Sequence, residues 1–168
     1  MFICIRLYHV KTGDYISCVL CYPPRILGKI KLQNQVYMVE TVKQVYVVDD
    51  DEIFHFILKK MFEQNGEKLE VTSFLCAEDA LEELQHPKGH PLPSLIILDM
   101  NMQRMNGWDF IEAYRGIKCS LSQQIPIIMC SSSIDMRDIQ KVKRTPELKA
   151  YITKPLDSEK MQQIKDYL

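Results

Sequence analysis

A basic excess is missing from this chain: across 168 residues Lys and Arg number 21 against 22 Asp and Glu, a net charge of −1. Proteins that coat nucleic acid with cations need such an excess, so no direct DNA binding is expected. Long apolar runs are missing too. None approaches the ~18 residues of a membrane span, and the longest early candidate, 15–22, leads into Pro23-Pro24-Arg25 rather than a small-residue cleavage site. No membrane partner is expected. A disulfide framework is also absent, because Cys4, Cys18 and Cys21 precede residue 38 and Cys76, Cys119 and Cys130 follow it, an odd three on each side. The expected compartment is the reducing cytoplasm. Cys18-x-x-Cys21 lacks the second ligand pair of a zinc site and reads as two small apolar strand residues, while His9, His86 and His90 form no ligand pattern. With 46% apolar and 26% charged residues, what is there is an ordinary globular chain, long enough for one domain and hardly two.

Charge divides the chain unevenly. Residues 1–37 carry Arg6, Lys11, Arg25, Lys29 and Lys31 against Asp14 alone, which leaves −5 on residues 38–168. We read 1–37 as an N-terminal extension and 38–168 as the main domain. Two readings of the extension stay open. Residues 2–10 and 15–22 can pair as a hairpin around Thr12-Gly13-Asp14, or Met38 is the true start and the extension has no function. From residue 44 onward, short apolar runs alternate with helical periods, the mark of a parallel sheet covered on both faces. Strands are expected at 45–48, 69–74, 95–98, 127–129 and 151–153. Helices are expected on Phe54, Ile57, Leu58, Met61 and Phe62; on Ala77, Ala80, Leu81 and Leu84; on Trp108, Ile111 and Tyr114; on Met136, Ile139 and Val142; and on Met161, Ile164 and Leu168. Asn65-Gly66 and Pro87 are their stops. Because the fifth helix ends the sequence, a stand-alone domain without an output module is expected.

In an open parallel sheet, ligands bind beyond the carboxyl ends of the strands. There the chain places Asp49-Asp50-Asp51, Asp99-Met100-Asn101, Cys130-Ser131-Ser132-Ser133 and Lys154-Pro155. Two carboxylates ~4 Å apart repel by roughly 4 kcal/mol at an effective dielectric near 20, so three converging acids need a cation or must partly protonate. Oxygen-only ligands suit Mg2+. The set describes phosphoryl transfer, with Asp99 as attacking carboxylate, Asp50 on the cation, Ser131 donating to one phosphate oxygen and Lys154 holding another.

These residues resemble the receiver domains of two-component response regulators, including the single-domain chemotaxis regulators. The likeness runs from about residue 44 to 168 and rests on Val47-Val48-Asp49-Asp50-Asp51, on Leu98-Asp99-Met100-Asn101-Met102 with Met105-Asn106-Gly107, on Ile127-Ile128-Met129-Cys130-Ser131, and on Tyr151-Ile152-Thr153-Lys154-Pro155. It implies an α/β fold, a flavodoxin-like, doubly wound, five-stranded parallel sheet of order 2-1-3-4-5 with helices on both faces. It implies Mg2+ held by Asp49, Asp50, Asp99 and the main-chain carbonyl of Asn101. Asp99 would be the phosphorylation site, served by a sensor histidine kinase or phosphotransfer protein, with Lys154 on the acylphosphate. Ser131 and Tyr151 would be the switch, Lys154-Pro155 a cis peptide, and the output contact with a further, unidentified protein. On this resemblance the chain is not an enzyme beyond its own phosphorylation and dephosphorylation.

Two positions depart from the family pattern. Gln103 stands where Pro is usual, which alters loop stiffness without removing a chemical group, and Asn106 replaces a frequent Asp before Gly107. Asn101 and Ser133 occupy positions that tune phosphate lifetime in the family. Asp51 and Glu52 are expected to cap the first helix. His55 lies on that helix, where partner kinases dock in the family, and is expected to be solvated; Trp108 is expected in the core. Two alternatives remain: a haloacid-dehalogenase-like phosphatase, whose Asp-x-Asp signature is broken here by Asn101, and a receiver-like interaction module that takes no phosphate.

Overall fold

The computed structural model describes residues 3–9, 15–20, 29–32, 35–40, 42–64, 69–87, 91–133 and 135–168, with side chains from residue 42 onward. Thr12-Gly13-Asp14, Cys21, Asn65-Gly66 and His90 lie outside them. The chain forms two compact units, Met1–Val42 with Lys88–Pro91, and Lys43–Pro87 with Leu92–Leu168. In the first, β1 (Ile3–His9), β2 (Tyr15–Leu20), β3 (Lys29–Leu32) and β4 (Gln35–Glu40) make an antiparallel sheet of order β2-β1-β4-β3. Ile3 faces Leu20 and Tyr8 faces Tyr15 across the first hairpin. Strand β4 crosses residues 37 and 38 and pairs with β1, so the units divide after Val42 rather than after residue 37.

The second unit runs β5 (Lys43–Val48), α1 (Glu52–Gln64), β6 (Leu69–Phe74), α2 (Ala77–Gln85), β7 (Leu95–Asp99), α3 (Gly107–Ile117), β8 (Ile127–Ser131), α4 (Met136–Lys143), β9 (Leu148–Thr153) and α5 (Ser158–Lys165). Its five strands are all parallel in the order β6-β5-β7-β8-β9, the flavodoxin-like 2-1-3-4-5 arrangement. The alternation of strand side chains divides the core in two. On one face Tyr46, Val48, Ile96, Leu98, Ile127 and Met129 pack with residues of α2 and α3. On the other, Val45, Val47, Ile97 and Ile128 pack with Phe54, Leu58 and Phe62 of α1 and with Met161 and Ile164 of α5. Every residue of β7 is buried, as continuous aliphatics covered on both sides require. Among the described residues no helix is long and apolar enough to cross a membrane.

Two expectations need correction and a third needs qualifying. On α1 the buried side chains are Phe54, His55, Leu58 and Phe62, while Ile57 is exposed. At ~100° per residue these four share an arc of ~100°, and Ile57 falls ~60° outside it. Met136 is likewise exposed, leaving Val142 as the one fully buried side chain of α4. Trp108 does pack against the core, but it stays half-buried, with the Lys141 ammonium 3.8 Å from its ring centroid.

Candidate functional site

Pairing brings the polar strand ends level: Asp99 stands beside Cys130, and Ser131 beside Thr153. Asp49 follows β5 and is held on several sides. Its N–H donates to the Phe74 carbonyl at 3.0 Å, and its Oδ1 accepts from the Asp51 N–H at 3.0 Å. Asp51 in turn caps α1, accepting from the Ile53 N–H at 2.9 Å. Asp99 closes β7, buried, with Oδ2 accepting from the Asn101 N–H at 2.8 Å. The next turn is tied down by Met100 N–H to the Cys130 carbonyl (2.8 Å) and Gly107 N–H to the Met100 carbonyl (2.9 Å). Gly107 is needed there, since a Cβ would lie 2.7 Å from the Asp99 carbonyl oxygen. Asn106 caps α3 through a capping box with Asp109, filling the role expected of the usual Asp.

Asp49, Asp50 and Asp99 offer carboxylate oxygens that all lie within 4.8 Å of one another. The Lys154 ammonium bridges two of them, 2.5 Å from Asp49 Oδ2 and 2.7 Å from Asp99 Oδ1. The Lys154-Pro155 peptide is cis, the Lys154 N–H donates to the Ser131 carbonyl (2.7 Å), and the ammonium lies over the face of Phe54, 4.2 Å from its ring centroid. Burial lowers the Lys154 pKa, yet the hydrogen bonds and charges of Asp49 and Asp99 outweigh it and hold the ammonium above its ordinary value. Burial pushes the Asp49 carboxyl up, only partly opposed by Lys154 and the Asp51 N–H. One ammonium thus serves two buried carboxylates, with Asp50 beside them, and the negative surplus and all-oxygen donor set fit a divalent hard cation.

Asp50 is exposed, and its Oδ2 is 3.4 Å from the Gln103 N–H, a donor that the family's usual proline would lack. Arg104, next in that loop, takes the left-handed φ of 64°. Ser131 is buried at the end of β8, its Oγ accepting from the Ser133 N–H at 3.2 Å. The Tyr151 hydroxyl donates to the Ser133 carbonyl at 2.7 Å, so Ser131 and Tyr151 hold one loop between them. Asp49, Asp50, Asp99, Asn101, Ser131 and Lys154 therefore gather at one end of the sheet, while Tyr151 lies within β9, the strand that leads into Lys154, and reaches the site through Ser133.

Two side chains escaped the sequence reading. Phe54 lies under Lys154, and His55 is buried rather than solvated, with Nε2 2.7 Å from the Asp49 carbonyl oxygen. Apolar periodicity held Phe54 only as core and had no reason to turn an imidazole inward.

The sequence pattern of the response regulator receiver domain matches residues 45–165. The Regulator of RpoS of Escherichia coli K12 is 35% identical over 104 residues, an alignment of 61% of this chain with 27% of that protein. The sensory transduction protein LytT of Bacillus anthracis is 30% identical over 125 residues, covering 74% of this chain and 46% of that one. The chain thus spans about a quarter to a half of these curated relatives. Among solved structures, a two component response regulator from Cytophaga hutchinsonii superimposes with a TM-score of 0.68 at 24% identity, over 76% of this chain and 96% of that one.

Proposed function

Because the chain belongs to the response regulator receiver domain family, a family of signalling modules rather than turnover enzymes, we propose that it takes a phosphoryl group onto Asp99 from a histidine kinase or phosphotransfer protein and signals by protein contact. One observation carries this reading: the Lys154 ammonium is shared between Asp49 and Asp99 within reach of Asp50. An Asp99 carboxylate oxygen forms the new P–O bond as the donor's N–P bond breaks, and the departing imidazole nitrogen keeps the electron pair and takes a proton. Asp49, Asp50, Asp99 and the main-chain carbonyl of Asn101 would hold Mg2+, which when bound neutralises phosphoryl oxygens.

The chain's own groups do the rest. Lys154 exchanges a carboxylate for a phosphoryl oxygen, and the Ser131 hydroxyl donates to another. That movement releases the Ser133 N–H now resting on Ser131 Oγ, and Tyr151, anchored on the Ser133 carbonyl, follows the loop. Phosphate then biases an existing equilibrium of the α4–β9 surface. The exposed Ile53, Phe56 and Ile57 on α1, close in sequence to Asp50, form the face on which the phosphodonor docks. The setting consistent with such a donor is the cytoplasm.

The test is intact mass after incubation with Mg2+ and a small phosphodonor, wild type beside Asp99→Asn. We expect one added phosphoryl group, absent without Mg2+ and absent in the variant. No added mass, together with no uptake of beryllium fluoride, would instead favour the module that takes no phosphate.

A further inference from the structure

His55 is 7% exposed, on the first turns of α1, and its Nε2 lies 2.7 Å from the main-chain carbonyl oxygen of Asp49. A carbonyl only accepts, so the imidazole donates from Nε2 and Nδ1 is left as an acceptor. Among the described residues that Nδ1 is buried without a hydrogen-bond partner. A leucine or phenylalanine would fill this face of α1 without burying an unpaired nitrogen, which costs about 1–3 kcal/mol. What an apolar residue would not supply is the hydrogen bond to Asp49.

That bond has a geometric consequence. Orienting the Asp49 carbonyl fixes the plane of the Asp49–Asp50 peptide, and with it the position of the Asp50 Cα and the axis about which the Asp50 side chain swings. The other polar groups of Asp49 are already committed, the N–H to Phe74, Oδ1 to Asp51 and Oδ2 to Lys154. Asp50, by contrast, is exposed, with a long contact from the Gln103 N–H at 3.4 Å. We propose that His55 is a positioning residue: by donating to the Asp49 carbonyl it aims the Asp50 carboxylate into the acidic cluster and so sets the affinity of that cluster for a divalent cation. The inference rests on the phosphoacceptor reading of the site.

The experiment is calorimetric titration of Mg2+ into the full chain, for wild type, His55→Phe and His55→Gln. Phe keeps a ring without the donor; Gln keeps an N–H donor at comparable reach. Outer-shell partners of metal ligands typically contribute about 10–100-fold in affinity. We expect the Kd of His55→Phe to rise by that factor and His55→Gln to recover most of it, while a core variant such as Leu84→Ala lowers the melting temperature without moving the Kd. His55→Met, equally without a donor and more adaptable, replaces His55→Phe in the comparison if the ring does not pack. Wild-type Mg2+ affinity in the donorless variant would overturn the positioning role alone. An absence of Mg2+ binding by wild type would overturn the phosphoacceptor reading and this inference with it.

Discussion

Lys154 is the shared cation of two buried carboxylates, because Asp49 and Asp99 are 1% and 5% exposed and both contact its ammonium. Breaking a buried ion pair by removing one partner typically costs about 3–5 kcal/mol, since a charge stays behind uncompensated. Lys154→Ala is therefore expected to lose about that much stability in urea unfolding with EDTA present, and to regain most of it in excess Mg2+. Its affinity for Mg2+ should be at least that of wild type, since a competitor for two carboxylates has gone, while phosphate-dependent partner binding should fall. Equal losses with and without Mg2+ would show that the cation does not enter between these acids. The residues of this cluster were legible from the sequence because Asp, Ser and Lys at strand ends have few structural uses together. His55 was not legible. Its partner is a main-chain carbonyl six residues earlier, and the two meet only once β5 has ended and α1 has turned back over it.

Among the elements, α3 contains a paired test of what its glycines do. At Gly107 a Cβ would meet the Asp99 carbonyl oxygen at 2.7 Å and the Met100 Cα at 3.0 Å, both backbone and unable to yield. At Gly116 it would meet nothing within 4 Å among the described residues. Gly107→Ala should cost about 1–3 kcal/mol through overpacking and slow phosphorylation by shifting the Asp99 turn, whereas Gly116→Ala should stabilise by about 0.5–1 kcal/mol through helix propensity alone. The far end of α3 is held differently. Glu147, its side chain 6% exposed, accepts from Arg115 of α3 at 3.2 Å and from Lys118 just beyond at 2.5 Å. The Arg115 hydrogen bond, opposed by burial and reinforced by Lys118, holds its carboxyl down to about 2, against 4.5 ordinarily. A folded-state value below the unfolded one contributes stability that is full above about pH 4.5 and lost as pH falls toward 2. With both cations partly solvated, screening leaves about 1–2 kcal/mol. Glu147→Gln should thus lower stability by that amount at pH 7, by roughly half of it at pH 3 and by little at pH 2, read by urea denaturation at each pH; a loss independent of pH would assign the residue to packing instead.

For the whole molecule, the legible part of the fold was the part with strong periodicity. The four aliphatics 95–98, bounded by Pro93-Ser94 and Asp99, fixed a central strand, and the spacing of the other runs fixed the α/β order around it. The N-terminal unit was only half legible. Its first hairpin follows from apolar runs around a turn, but β3 has only 4 residues, and β4 straddles the change in composition that was read as a boundary. Pairing with β1, a contact some thirty residues away in sequence, decides that Gln35–Glu40 belongs with the first sheet. Everything the proposed chemistry uses lies in the second unit: Asp49, Asp50, Asp99, Ser131, Tyr151 and Lys154, together with both apolar clusters on either side of the five-stranded sheet. A unit that contains its own core and its own site should fold and react by itself. A chain of residues 43–168 is therefore expected to unfold cooperatively, with a melting temperature within about 5 °C of the full chain, a shift of about 1 kcal/mol for a domain of this size. It should also gain one phosphoryl group from a small donor with Mg2+. If the shortened chain folds but no longer takes phosphate, the four-stranded sheet contributes to the site and the division of labour drawn from the second unit alone fails.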